Sequence, residues 1–159
     1  SFSSSLESFH CKIILPILLL VSFNSFAFEW HGFKSGMTQD EVKELTSSEY
    51  ASSCDWQCRK AYFEKRGVDS PPGLWQMGFS YTSESKLWRI QMDYFESSGP
   101  RGVAQTRILQ ELFPDAELQN RSESSSYGSI NNFVTAMLID KDLFEEDIER
   151  IYNNTKDKY

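Results

Sequence analysis

The chain has 159 residues, 14% of them aromatic, and a formal net charge of −7 from 16 Lys and Arg against 23 Asp and Glu. This acidic balance argues against binding a phosphate backbone, which needs clustered Lys and Arg, and against a general attraction to anionic lipid, while leaving a basic partner compatible. The eight glycines are scattered and form no phosphate-cradling loop, and no cofactor motif is present.

At the N-terminus, Ile13 to Phe23 is an almost unbroken apolar run with Lys12 just before it and Ser25 and Ala27 just after. A charged flank, an apolar stretch and small residues one position apart predict a secretory signal peptide over residues 1–27, cleaved after Ala27. A membrane-spanning helix needs about 20 apolar residues; this run is shorter and contains Pro16. Residues 1–11 carry Glu7 and no basic residue, and are expected to be an extension ahead of the true start. Cys11 precedes the apolar run instead of following it, which argues against lipid attachment. Cleavage would remove Glu7 and Lys12 together and leave the charge balance unchanged. Residues 28–159 are expected to fold as one domain, periplasmic or secreted, with no stable membrane insertion after cleavage.

GMTQDEV, Gly36 to Val42, predicts a helix start. Thr38 and Glu41 have capping-box spacing, Met37 and Val42 have the spacing of a hydrophobic staple, and Asp40 and Glu41 put negative charge in the first turn. The helix is expected over about Gln39 to Ser47. A second is expected from Cys54 or Asp55 to Arg66, with Cys54, Cys58, Ala61 and Tyr62 along one stripe and Gly67 as its terminator.

Cys54 and Cys58 are the two cysteines downstream of the signal. In an exported chain an isolated pair reads first as a disulfide. Free buried thiols are the alternative. A thioredoxin-type motif needs two intervening residues where three are present, and a zinc site needs four ligands where His31 alone is left to help. On a helix, positions i and i+4 stand about 6.2 Å apart at Cα, near the long end of the disulfide range, so a bridge forms most easily where the helix start relaxes.

After the break at VDSPPG, the stretch from Gly73 to Ser97 alternates on two arms. Trp75, Met77, Phe79 and Tyr81 alternate with Gln76, Gly78, Ser80 and Thr82; beyond SESK, Trp88, Ile90, Met92 and Tyr94 alternate with Arg89, Gln91 and Asp93. Period two across a polar turn predicts an antiparallel hairpin with one apolar face. Gln76, Arg89, Gln91 and Asp93 fall on the opposite face and make a possible binding surface. The tryptophans are expected in the core, or on a binding surface if no helix covers the sheet.

A third helix is expected from about Pro100 to Pro114, with Ala104, Ile108, Leu109 and Leu112 on its apolar side. Next come a polar segment with weak alternation and then NFVTAMLID, apolar on both faces and so a central strand. DLFEEDIERIY predicts a last helix, with Asp142 and Glu145 at capping-box spacing and Phe144, Ile148, Ile151 and Tyr152 on one face; the tail NNTKDKY is expected to fray. Gly, Gln and aliphatic positions recur between residues 36–45 and 102–112, a faint sign of helix followed by sheet used twice.

Catalytic groups are sparse. His31 lies near the expected mature terminus and reads as a surface residue. Glu145 with Glu146, and Asp93 with Glu96, are carboxylate pairs that would need burial and a raised pKa for general acid work.

GMTQDEVKEL resembles the helix-opening signature of the BamE/SmpA family of small bacterial envelope proteins, whose two helices pack on an antiparallel sheet similar to the β-lactamase-inhibitor-protein fold. The resemblance rests on Gly36, Met37, Thr38, Glu41 and Val42. It implies an envelope location and a binding fold. The expectation for the whole chain is therefore an α+β domain in which an antiparallel sheet including a central β-hairpin is packed on one face by two to four helices. Its expected role is non-enzymatic and cofactor-free, by contact with an envelope protein partner and not with nucleic acid. An acidic inhibitor or immunity-type protein against a basic enzyme is one alternative, and a small carboxylate-based hydrolase is another.

Overall fold

The computed structural model describes residues 26–95 and 100–158. Apart from Phe26 and Ala27, the expected signal peptide lies outside the described residues, as does Glu96. The chain runs β1 (Glu29–Trp30), β2 (Phe33–Lys34), α1 (Gln39–Thr46), β3 (Ser53–Cys54), α2 (Trp56–Arg66), β4 (Leu74–Tyr81), β5 (Leu87–Phe95), α3 (Pro100–Leu112), β6 (Glu117–Ser124), β7 (Ile130–Ile139), α4 (Lys141–Thr155) and a 3₁₀ turn at Lys156–Lys158. Strands β1 and β2 form a small hairpin of their own; the others form an antiparallel sheet in the order β3-β4-β5-β7-β6. The fold is α+β.

Helix α1 starts as its sequence dictates. The Thr38 amide donates to Glu41 Oε2 at 2.9 Å and the Glu41 amide to Thr38 Oγ1 at 3.2 Å, closing the capping box. Ser47 ends it in the left-handed region at φ 54°. In α2, Asp55 accepts from the Cys58 amide at 2.9 Å, and Gly67 ends the helix at φ 68°. Its inward pair is Tyr62 and Phe63, whereas Ala61 is exposed. The expected stripe is corrected because Cys54 is not helical: it sits in β3, paired with Met77. The disulfide forms there, between a strand and the helix beginning after it, at a Cα separation of 5.2 Å.

One face of the sheet carries the core. Leu74, Met77, Phe79, Leu87, Ile90, Met92 and Tyr94 of the central hairpin, with Val134, Ala136 and Leu138 of β7, are buried under β1–β2, α1, α2 and α3. The covering layer supplies Phe28, Trp30, Phe33, Val42, Tyr62, Phe63 and Leu109. Phe33 is wholly buried, 4.9 Å from the Phe79 ring and 5.1 Å from Tyr62. Removing a side chain of that size from water contributes about 1.5–3 kcal/mol.

Two irregularities redirect the tryptophans. The β4–β5 register shifts between Leu74 and Gln76 and again between Ser80 and Tyr81, so Trp75 and Trp88 are extra residues opposite a continuing partner strand. Each bulge breaks the period of two, and Trp75 and Trp88 leave the apolar face on which strict alternation placed them.

The third helix also turns differently from its pattern. Leu109 is buried and Phe113, just past the end, packs on the core, but Ala104, Ile108 and Leu112 are exposed. In α4 the N-cap is Asp140, accepting from the Leu143 amide at 3.1 Å, and not Asp142. This helix continues through Thr155, where fraying was expected, and Thr155 Oγ1 donates to the Ile151 carbonyl at 2.7 Å. No helix among the described residues is long and apolar enough to cross a membrane.

Candidate functional site

The second face of the sheet grades from aromatic to polar to aromatic. At one end the rings of Trp56, Trp75, Phe95 and Phe133 form a row with successive centroids 6.0, 4.8 and 5.0 Å apart. The Arg121 guanidinium closes the row, 5.4 Å from the Phe133 centroid. Trp56 is the first residue of α2, and Arg59, one turn on, donates through Nε to the Trp75 carbonyl at 3.0 Å, so the helix start holds the first bulge in place.

The middle of the face is organised by Asp93, whose carboxylate is 4% exposed. Its register partners are Gln76 on β4 and Thr135 on β7, with Gln119 of β6 beyond. Asp93 Oδ2 accepts from Gln76 Nε2 at 2.7 Å and Arg121 at 2.6 Å; Oδ1 accepts from Thr135 Oγ1 at 2.8 Å and Gln91 Nε2 at 3.2 Å. A charge taken out of water is tolerated only when paired and fully hydrogen-bonded, and this one has four donors. Arg121 also pairs with Glu123.

The far end holds Arg89 and Trp88. Arg89 donates to Ser80 Oγ through Nε and Nη2, at 3.2 and 3.0 Å, and its guanidinium stands 5.2 Å from the Trp88 ring centroid. Phe144 of α4 stacks on Trp88, centroids 4.2 Å apart. Helices thus reach this face at its two ends, α2 through Trp56 and α4 through Phe144.

Of the four surface residues expected from sequence, Gln76, Gln91 and Asp93 come together in one network, while Arg89 is separate and bound to Ser80. Arg121 and Thr135 complete the network. Sequence reasoning missed both, because their place depends on how β6 and β7 align with the hairpin, and only Thr135 inside an apolar run hinted at a polar partner.

His31 is better fixed than a residue near a chain terminus was expected to be. It adopts φ 46° in the β1–β2 turn, its ring meets Trp30 and Phe63 edge-on at 4.7 and 5.1 Å, and its carbonyl accepts from the Tyr62 hydroxyl. Partial burial, with the Arg66 charge adding to it, holds the imidazole below its ordinary pKa of 6.5. The adjacent Gly32 sits at φ 88°, in the left-handed region where any other residue would be strained. Glu145 and Glu146 are exposed on α4. No group of three or more His, Cys, Asp or Glu among the described residues is arranged to hold a metal ion.

No known protein family matches the chain, and neither do characterised proteins or solved structures.

Proposed function

We propose that the chain is an exported, non-enzymatic binding protein of the bacterial envelope, acting by protein–protein contact through the second face of the sheet. The observation that carries this reading is the construction of that face: the accessible rings of Trp56, Trp75 and Phe95, with Phe133 buried behind them, and two arginines held in place by the Asp93 network and by Ser80. Aromatic residues and Arg supply most of the energy of protein interfaces, and side chains already fixed lose little entropy on binding. The Cys54–Cys58 bridge supports an oxidising compartment. The signal-like leader and the resemblance of Gly36–Val42 to the BamE/SmpA opening support the envelope as that compartment. Within this reading, the net charge of −7 favours a basic enzyme as the target and an inhibitor or immunity role.

Site-specific photo-crosslinking in an exporting host tests the proposal. A photoreactive residue replaces exposed Gln119 on the second face in one variant and exposed Lys60 on α2 in another. The expected result is one stoichiometric adduct from position 119, none from position 60, and a bait whose mass begins at Phe28 and lacks two hydrogens. A bait retaining residues 1–27, or no adduct from position 119, overturns it.

A further inference from the structure

We infer that the outer edge of β6 pairs with the same edge of a second copy of this chain, joining two sheets into one across a two-fold axis. The inference goes beyond the sheet-face reading and does not rest on it. The two edges of the sheet are built differently. β3 has two residues and is tied by the disulfide to the helix that follows, so it ends before another strand could pair along it. β6 has eight residues, six of them exposed, and its register with β7 runs from Glu117 to Ser124 without a shift. Short length, Lys, Pro and bulges are the usual protections of an edge, and β6 has none of them.

Two hydrogen bonds show which backbone groups face outward. The Ser125 amide donates to the Ser129 carbonyl at 2.8 Å, one pair beyond Ser124 and Ile130. Where β7 leaves β5, the Asp140 amide donates to the Trp88 carbonyl at 2.7 Å, one pair beyond Arg89 and Ile139. Hydrogen-bonded and non-hydrogen-bonded pairs alternate along an antiparallel ladder. Both bonds therefore turn the backbone groups of Glu117, Gln119, Arg121 and Glu123 toward β7, and leave the N–H and C=O of Leu118, Asn120, Ser122 and Ser124 on the open side. No other backbone group among the described residues hydrogen-bonds to these four.

Charge selects a second copy and sets its register. With the axis at Asn120, Glu117 would oppose the second copy's Glu123; with the axis at Arg121, two arginines would meet. Like charges directly opposite are destabilising. An axis at Gln119 would carry the second copy's Glu123 alongside Asp115, and an axis nearer either end shortens the overlap. With the axis at Ser122, Arg121 of each copy stands opposite Glu123 of the other and Asn120 opposite Ser124. Three pairs of outward residues then exchange two hydrogen bonds each. An edge paired with itself is isologous, and the short β3 at the other edge offers nothing to extend it, so the product is a closed dimer and not a fibre.

Sedimentation velocity on the intact exported protein, across about a hundredfold range of concentration, tests the inference. A reversible dimer is expected, weak because the interface is small. Asn120→Pro removes an outward N–H and leaves the ladder to β7 intact, and should weaken the dimer by about tenfold or more. Glu123→Lys sets Lys opposite the second copy's Arg121 and should weaken it to a similar degree, which guards against a proline variant that fails to fold. Residue-resolved hydrogen exchange should slow at the amides of Asn120, Ser122 and Ser124 as concentration rises. A chain that stays monomeric, a dimer that neither variant weakens, or protection that rises elsewhere and not at these amides would each overturn the assignment.

Discussion

The two faces of one sheet solve the problem of burial in opposite ways. On the core face Ile90, Met92 and Ala136 are wholly buried under apolar side chains, and order comes from close packing. On the second face, one residue along the same strands, Asp93 and Thr135 are almost as deeply buried, and order comes from hydrogen bonds. Packing tolerates changes of chemistry that keep volume, whereas a polar network tolerates changes of volume only if every donor and acceptor stays matched. The second face therefore presents a fixed surface without depending on a helix laid across its centre.

The largest expected effect separates the two modes of burial. Phe33→Ala leaves a cavity between Tyr62 and Phe79 and should cost about 3–5 kcal/mol in denaturant titration. A loss under about 1 kcal/mol would mean the β1–β2 hairpin is not part of the core. On the second face, Arg121→Met strips the charged donor from Asp93. A fully buried pair would lose more, but Arg121 is 34% exposed, so about 2 kcal/mol is expected. Replacing both partners, Asp93→Asn with Arg121→Met, should cost less than the sum of the two single changes. Simple additivity would deny the coupling.

Reducing the disulfide tests the sheet edge. Its loop is short, so the stability lost should be about 2 kcal/mol at most on the chain-entropy account, read from the denaturation midpoint with and without reductant. The smallest effect depends on pH. The folded state favours neutral His31, while the unfolded chain takes up a proton near the ordinary 6.5. Stability is therefore complete above 6.5 and declines as pH falls from there toward the lower folded value. His31→Asn, which tolerates the left-handed backbone, should flatten that slope; an unchanged slope would assign it to other groups.

How much of this was legible follows from which signals are local. The helix start at Thr38, the terminator at Gly67 and the hairpin across SESK each depend on a few neighbouring residues, and all three formed as read. The tryptophans did not follow the alternation, because a bulge arises from how two strands align and leaves little mark in either strand alone. That the apolar side of α4 faces outward is illegible in the sequence for a similar reason. Its period is that of any amphipathic helix, and what turns it outward is Ser83, sixty-four residues away from Asp147 in the chain. The surface set Gln76, Gln91 and Asp93 could be read from alternation, while Arg121 and Thr135 required the order of β6 and β7 in the sheet.

Asp93 has a consequence for assembly as well as for shape. Its donors lie on β4, β5, β6 and β7, so a single carboxylate samples the alignment of four strands at once. A slip of β5 by one position would send that charge into the apolar layer beside Ala136 and bring Met92 out in its stead. Misaligned sheets thus carry an uncompensated buried ion, and the residue that orders the outer surface also rejects folding errors.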